Sequence, residues 1–192
     1  MKNKTALIMV DVQNDFCPGG SLAVAEGDKI VEQLNLLQQK VDVVVATRDW
    51  HLPMTKHFKV GGGMWPVHCV ERTNGAEFHP ELKLDNAVVF SKGMDPDDDG
   101  GYSGFDGITE DGVSLEIFLR SKRITHLLIG GLATDYCVRH TVLDGLKERF
   151  KVVLLEDAIR GADIRPGDSE RAIAEMIRAG AEKRCDLARI PA

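Results

Sequence analysis

Five short apolar runs recur along the chain, each rich in valine, isoleucine or leucine and each shorter than an ordinary helix. They span residues 6–10, 43–46, 87–90, 127–129 and 152–155. Parallel strands that are covered on both faces lose the alternation of polar and apolar residues, so uninterrupted runs of this kind are typical of them. The sequence therefore predicts buried strands of a parallel sheet.

Apolar stripes at helical spacing lie between these runs, with members three and four residues apart on one side of a helix. The two clearest stripes consist of Ile30, Val31, Leu34 and Leu37, and of Ala172, Ile173, Met176 and Ile177. A third helical segment covers about residues 135–150. Strands that alternate with helices predict an α/β fold, an open, mostly parallel sheet of about six strands with helices on both faces.

Length and charge narrow the class of protein. The 192 residues contain no visible repeat or linker, so we predict a single domain spanning residues 1–192. The formal net charge of −6, without a basic patch, argues against nucleic acid as a partner. No apolar run approaches the ~18 residues that cross a bilayer, so we expect a soluble, cytoplasmic protein with no membrane contact. The oligomeric state stays open, and a homo-oligomer is compatible with the sequence.

The carboxyl ends of the predicted strands carry most of the candidate chemistry. Ligands of open α/β sheets bind beyond these ends, so the residues that follow each apolar run should face one crevice. They are Asp11, Asp49, His51, Lys92 and the segment 130–137. We therefore expect a small-molecule site at this edge of the sheet.

Asp49 and His51 stand two residues apart, so in an extended segment their side chains point to the same side and can reach one ion. His57 and His68 follow in a long, glycine-rich stretch. Imidazole nitrogens with one carboxylate oxygen suit zinc, iron or manganese better than calcium. The pattern predicts a divalent transition metal, and the alternative is a hydrogen-bonded loop anchor.

Cys137 is the candidate nucleophile. The four cysteines are far apart and form no C-x-x-C pair, so each is a buried apolar residue or a reactive thiol. Cys137 follows a run of small residues after a predicted strand, where we expect the first turn of a helix capped by Thr134 or Asp135. The helix dipole there would lower the thiol pKa and favour an oxyanion.

A thiol nucleophile needs a base and usually a nearby positive charge. Asp11 and Lys92 close adjacent predicted strands, so both can meet Cys137 in the crevice. His140, one helical turn beyond Cys137, is a competing partner. Neighbours three residues apart on a helix point along its surface, so we expect His140 to be solvated instead.

Together these residues resemble the nicotinamidase branch of the isochorismatase-like cysteine hydrolases, over nearly the whole chain. The matching segments are DVQNDF at 11–16, Asp-x-His at 49–51 with His68, SKG at 91–93 and GLATDYC at 131–137. The resemblance implies an isochorismatase-like, three-layer α/β/α fold. It also implies a metal-dependent amidohydrolase that converts nicotinamide to nicotinate and ammonia through a cysteine thioester, with pyrazinamide as a second substrate.

The resemblance further implies roles for individual residues. Asp11, Lys92 and Cys137 would form the catalytic triad, and the backbone N–H groups of Ala133 and Cys137 the oxyanion hole. The peptide bond between Leu132 and Ala133 is often cis in this family.

For binding, the resemblance implies metal ligands and a substrate pocket. The implied ligands are Asp49, His51, His57 and His68, with zinc as the most expected metal. Family members vary at the position of His57. Phe16 and Trp65 would flank the pyridine ring, and Tyr102 would line the pocket.

Two alternatives belong to other classes of function. Other cysteine amidohydrolases of the superfamily cleave N-carbamoyl or ureido amides, and these relatives generally lack the Asp-x-His motif. A non-catalytic, flavodoxin-like binding module would need a phosphate-cradling loop, and neither G-x-G-x-x-G nor a P-loop pattern occurs. The metal motif therefore favours nicotinamide as the substrate.

Overall fold

Six strands form one open sheet in residues 3–97 and 100–185, the part of the chain that the structure, a computed structural model, describes. They are β1 (Thr5–Val10), β2 (Val43–Asp49), β3 (Ala87–Lys92), β4 (His126–Leu132), β5 (Lys151–Arg160) and β6 (Glu182–Arg184). Their order is β3-β2-β1-β4-β5-β6, and every neighbouring pair is parallel. The predicted parallel sheet is confirmed. Strand β6 consists only of charged residues, so no apolar run predicted it.

Four α-helices lie within these described ranges and cover the sheet. They are α1 (Val31–Leu37), α2 (Leu115–Ser121), α3 (Arg139–Lys147) and α4 (Asp168–Ala179). The first and last coincide with the two predicted stripes, and α3 lies inside the predicted segment 135–150. Helix α2, which was not predicted, begins after Ser114, whose hydroxyl accepts a hydrogen bond from the N–H of Ile117. None of the helices in the described ranges combines the length and apolarity needed to span a membrane.

Residues of β1 alternate between two buried faces. Ala6, Ile8 and Val10 pack in a cluster with apolar side chains of α2, α3 and α4. Leu7 and Met9 pack in a second cluster with those of α1. Burying one large apolar side chain contributes about 1.5–3 kcal/mol to the stability of the fold. Strand β1 therefore stabilises the helical layers on both faces of the sheet. This is the three-layer α/β/α arrangement that the resemblance implies.

The carboxyl ends of the central strands converge on one crevice. Strand β1 ends where Asp11 adopts a left-handed backbone with φ of 50°. Strands β2 and β3 end in register, with Asp49 opposite Lys92. Strand β4 runs to Leu132, and the peptide bond between Leu132 and Ala133 is cis. Because the strand order reverses between β1 and β4, the crevice lies at the switch point where such sheets bind ligands.

Candidate active site

Side chains from three strand ends meet in this crevice. Asp11 follows β1, Lys92 ends β3, and Cys137 follows β4. The Nζ atom of Lys92 lies 2.9 Å from Oδ2 of Asp11 and 3.5 Å from Sγ of Cys137. All three side chains are buried. The structure thus brings together the three residues that the sequence offered as a nucleophile, a base and a cation.

Asp49 is a second carboxylate beside Lys92. Its Oδ1 atom pairs with Nζ of Lys92. Burial alone would raise the pKa of Asp49, but the Lys92 ammonium, together with His51 and His68, holds this pKa below its ordinary value. Burial would also lower the pKa of Lys92, but the carboxylates of Asp11 and Asp49 outweigh it and raise this pKa well above its ordinary value. Lys92 is therefore a charged ammonium between two carboxyl groups.

The thiol of Cys137 is protonated in this arrangement. Burial raises the pKa of Cys137 well above its ordinary value, against the attraction of Lys92. The prediction of a lowered thiol pKa is wrong for the resting site, because desolvation and two nearby carboxyl groups oppose the thiolate. Burial also raises the pKa of Asp11, whose Oδ1 accepts a hydrogen bond from Oγ1 of Thr47 at 2.6 Å.

Cys137 lies in a π-helical turn, Thr134–Val138, that leads into α3. The predicted capping by Thr134 or Asp135 is wrong, because no side chain caps this turn. Asp135 instead accepts hydrogen bonds at 2.8 and 2.9 Å from two backbone N–H groups in the loop after β5. Such π turns are common at functional sites, and from this one the Sγ atom of Cys137 lies 3.5 Å from Nζ of Lys92.

Three histidines form a buried cluster on the other side of Asp49. Nitrogen atoms of His51, His57 and His68 that could bind a metal lie within 4.8 Å of one another. The Oδ2 atom of Asp49 lies 3.6 Å from Nε2 of His51 and 4.0 Å from Nε2 of His68. The four residues predicted as metal ligands are therefore neighbours in space.

Hydrogen bonds fix the orientation of two of these imidazoles. The Nδ1 atom of His51 donates to the carbonyl of Gly93 at 2.9 Å, and that of His68 to the carbonyl of Pro66 at 2.8 Å. The buried Nε2 of His51 has no hydrogen-bond partner within residues 3–97 and 100–185. Metal-binding imidazoles are typically oriented by such outer hydrogen bonds. The donor set and its orphaned nitrogen fit a divalent transition metal.

Two glycines let the backbone approach the histidine rings. A side-chain carbon at Gly93 would overlap Cε1 of His51, and one at Gly100 would overlap Nδ1 of His57. Both glycines have positive φ, 68° and 115°, where other residues are strained. The segment that follows β3 is therefore shaped to hold the cluster.

Asp15 anchors the loop that carries His68. Its Oδ2 atom accepts a hydrogen bond from the N–H of Cys69 at 2.7 Å, and its Oδ1 atom one from the N–H of Ser21 at 3.1 Å. The carbonyl of Cys69 in turn accepts a hydrogen bond from the N–H of His51 at 3.0 Å. These bonds tie two histidine positions to the loop after β1.

A pocket lies between Cys137 and the histidines. Its lining consists of Phe16, Leu22, Val24, Asp49, His57, Trp65, His68, Tyr102, Ala133, Tyr136, Cys137 and Ala162. The three predicted substrate-binding residues, Phe16, Trp65 and Tyr102, are all in this wall. Ala133, the predicted oxyanion-hole residue, also lines it. The ring of Phe16 lies 5.4 Å from that of His68, so the aromatic wall adjoins the histidine cluster.

Sequence reasoning missed several residues of this site. Tyr136 packs edge-on against Trp65, and Ala162 follows β5. The rule that ligands bind at strand ends could have found Ala162, and its place beside Cys137 could have found Tyr136. Leu22 and Val24 come from a loop without periodic signal, so nothing in the sequence indicated them.

A hydrogen bond joins two pocket segments that are distant in sequence. The Nε1 atom of Trp65 donates to the phenol oxygen of Tyr102 at 2.9 Å. Tyr102 stacks on His140, which is partly buried and therefore less solvated than predicted. The space left between the walls is about 30 Å³, far below the ~300–1,000 Å³ of typical ligand pockets. The side chains of the two walls therefore lie close together.

Known proteins share both the sequence and the architecture. The isochorismatase domain family matches residues 5–184. The alignment with the nicotinamidase of Escherichia coli (strain K12) is 196 residues long at 41% identity, and it covers 92% of each chain. The pyrazinamidase of Pyrococcus horikoshii in complex with zinc superposes with a TM-score of 0.85 at 46% identity, covering 94% of this chain and 98% of that one. PnC1 from L. infantum in complex with nicotinate has a TM-score of 0.85 at 35% identity, covering 95% and 92%.

Proposed function

The chain belongs to the isochorismatase family, and on this premise we propose that it is a nicotinamidase, an amidohydrolase that converts nicotinamide to nicotinate and ammonia. One observation carries the proposal: the same aromatic pocket is lined by Cys137 and by two members of the histidine cluster, His57 and His68. The thiol accounts for cleavage of an amide, and the cluster for preference for a nitrogen heterocycle. Pyrazinamide, with a similar ring and the same carboxamide, is proposed as a second substrate.

Asp11 is proposed as the base that accepts the thiol proton. Its raised pKa makes it a better proton acceptor than an ordinary carboxylate, and Lys92 lies next to both groups. Moving a proton from Cys137 to Asp11 leaves the total charge of the site unchanged. Lys92 then stands between the new thiolate and the carboxylate of Asp49, so the ammonium stabilises the reactive form.

The thiolate sulfur of Cys137 attacks the carboxamide carbon, and the carbonyl π electrons move to its oxygen. The backbone N–H groups of Ala133 and Cys137 are proposed to donate to that oxyanion, a contribution of about 3–4 kcal/mol per donor in a known case. Collapse breaks the carbon–nitrogen bond while Asp11 returns its proton to the departing nitrogen. Ammonia leaves, and a thioester remains on Cys137.

Water completes the reaction. Asp11, now a carboxylate again, is in place to take a proton from the water that attacks the thioester carbon. The carbon–sulfur bond breaks, and the thiol of Cys137 is restored by that proton. Nicotinate is released, so one water is consumed for each ammonia formed.

Asp49, His51, His57 and His68 are proposed to hold one divalent transition metal, zinc by preference, with iron or manganese as alternatives. When bound, this ion supplies a Lewis-acid contact for the ring nitrogen of the substrate. The rings of Phe16 and Trp65 exclude water and keep the substrate ring in one plane, so the carboxamide is presented to the thiol. A cytoplasmic location and self-association are further predictions.

The proposal is tested by measuring ammonia release from nicotinamide and from an N-carbamoyl amide, each with and without a chelator. We expect kcat/KM for nicotinamide to exceed that for the N-carbamoyl amide by at least ~100-fold. Chelation should raise KM for nicotinamide. Faster turnover of the N-carbamoyl amide would assign the chain to another activity of the superfamily, and indifference to the chelator would remove the metal from the account.

A further inference from the structure

Gln13 is a fully buried side chain whose amide makes three hydrogen bonds, all to backbone atoms. Its Oε1 atom accepts from the N–H of Asp49 at 2.8 Å. Its Nε2 atom donates to the carbonyls of Asp49 and Ala76, each at 2.8 Å. The mechanism above assigns no role to this residue, although both its partners adjoin the site.

The side-chain amide of Gln13 takes the place of the backbone hydrogen-bonding groups that β1 lacks beyond its end. On β2, the carbonyl of Thr47 accepts a hydrogen bond from the N–H of Asp11. Peptide groups two residues apart on a strand point to the same side, so the N–H and C=O of Asp49 also point toward β1. Because β1 ends at Val10, no backbone of β1 reaches them. A side-chain amide presents a donor and an acceptor as a peptide does, and Gln13 meets both groups of Asp49.

Asp49 needs this support because its two oxygens serve two different sites. Oδ1 pairs with Lys92, while Oδ2 faces His51 and His68. A shift of the Asp49 backbone would move both oxygens at once. The bond to Ala76 adds the end of the long loop that carries His57 and His68, so one amide joins that loop to β2.

We propose that Gln13 is a positioning residue that sets the carboxylate of Asp49 for the cation of Lys92 and for the histidine cluster together. This inference rests on the proposed function only for its kinetic consequence. Its consequence for metal affinity depends on the geometry of Asp49 alone.

The test replaces Gln13 by methionine, which has a similar volume and neither donates nor accepts a strong hydrogen bond. Gln38→Met is the matched control, because the Gln38 amide donates to Met9, Asn35 and the carbonyl of Lys83, none of which lines the site. Zinc affinity is measured by competition with a chromophoric chelator, with the folded fraction checked by circular dichroism. The kinetic readout is kcat and KM for nicotinamide.

We expect Gln13→Met to lower zinc affinity and kcat each by about 10–100-fold, the range found for outer partners of metal ligands. Gln38→Met should leave zinc affinity and kcat, each calculated for the folded fraction, within about twofold of the parent values. Gln13→Glu, which keeps the acceptor and loses both donations, gives the same readout if the methionine variant does not fold. Zinc affinity and kcat near the parent values in a folded Gln13 variant would overturn the proposal.

The two failures are distinguishable. A parent protein that binds zinc but does not hydrolyse nicotinamide would refute the proposed function, and the ratio of zinc affinities would still decide the role of Gln13. A parent that binds no zinc would overturn the metal half of the inference. A folded variant with reduced kcat and unchanged zinc affinity would overturn it as well, since Asp49 would then serve only Lys92.

Discussion

The two halves of the site are held in different ways. Asp11 and Lys92 stand at or just beyond the ends of β1 and β3, where the register of a buried sheet fixes their backbones, and Cys137 lies in the π turn that leads from β4 into α3. His57 and His68 stand on a long loop, where individual hydrogen bonds within the loop and one from Cys69 to Asp15 hold them. Strand ends place a side chain by cooperative pairing, whereas a loop does so one bond at a time. We therefore assign the proposed covalent chemistry to the half at the strand ends, called the rigid half below, and the proposed substrate recognition to the half on the loop, called the adaptable half.

Replacing the nucleophile should give the largest effect. Cys137→Ala removes the atom that forms the thioester, so kcat for nicotinamide should fall by about 10⁴-fold or more, as for other covalent catalysts. Zinc affinity should stay within about threefold, because the histidine half is held separately. Ammonia release and chelator competition measure the two halves. A residual rate within tenfold of the parent would break the assignment of chemistry to the rigid half.

Lys92→Met should damage both activity and stability. It leaves the carboxyl groups of Asp11 and Asp49 buried without their cation, and breaking a buried ion pair from one side costs about 3–5 kcal/mol. Urea unfolding measures the change in the free energy of unfolding. Lys56→Met is the control, because the ion pair of Lys56 with Asp97 is exposed and should contribute little to the free energy of unfolding. Equal stability losses in the two variants would contradict a buried cation at the centre of the site.

His51→Ala should impair the histidine half of the site and leave the Cys137 half nearly unchanged. Losing a proposed ligand should weaken zinc binding by about 100-fold or more, since even outer partners cost 10–100-fold. The rate at which iodoacetamide alkylates Cys137 should change by less than about threefold. His79→Ala, a histidine outside the cluster, is the control. A large change in thiol reactivity would show that the halves are not independent.

Trp65→Phe should give the smallest effect. It removes the hydrogen bond to Tyr102 that joins two segments of the adaptable half, worth about 1 kcal/mol. We expect KM for nicotinamide to rise about fivefold while kcat stays within threefold. Steady-state kinetics on the parent and the variant suffice. An unchanged KM with a lowered kcat would place Trp65 in the chemistry instead of in binding.

The same contrast explains what the sequence predicted. Buried strands are recognisable in the sequence as apolar runs, so the sheet could be predicted. The convergence of Asp11, Lys92 and Cys137 was predicted from the strand ends and from the family resemblance. The charged strand β6 and helix α2 gave no comparable signal. The thiol pKa was predicted in the wrong direction, because the helix-end argument contains no desolvation, which only the burial of Cys137 reveals.

The roles of Gln13 and Thr47 could not be read from the sequence either. Both side chains form hydrogen bonds with an acidic residue 36 positions away, Gln13 with the backbone of Asp49 and Thr47 with the carboxyl group of Asp11. Periodicity and spacing describe neighbours along a helix or strand and carry no information about such pairs. Only the register of β1 against β2 brings them together.

The most direct test of the central claim is the mass of the protein quenched with acid during turnover of nicotinamide. The account predicts a species heavier by one nicotinoyl group, located on the peptide that contains Cys137 and absent from Cys137→Ala. Turnover by the parent at its full rate with the added group on another residue, or with ammonia release undiminished in Cys137→Ala, would contradict it.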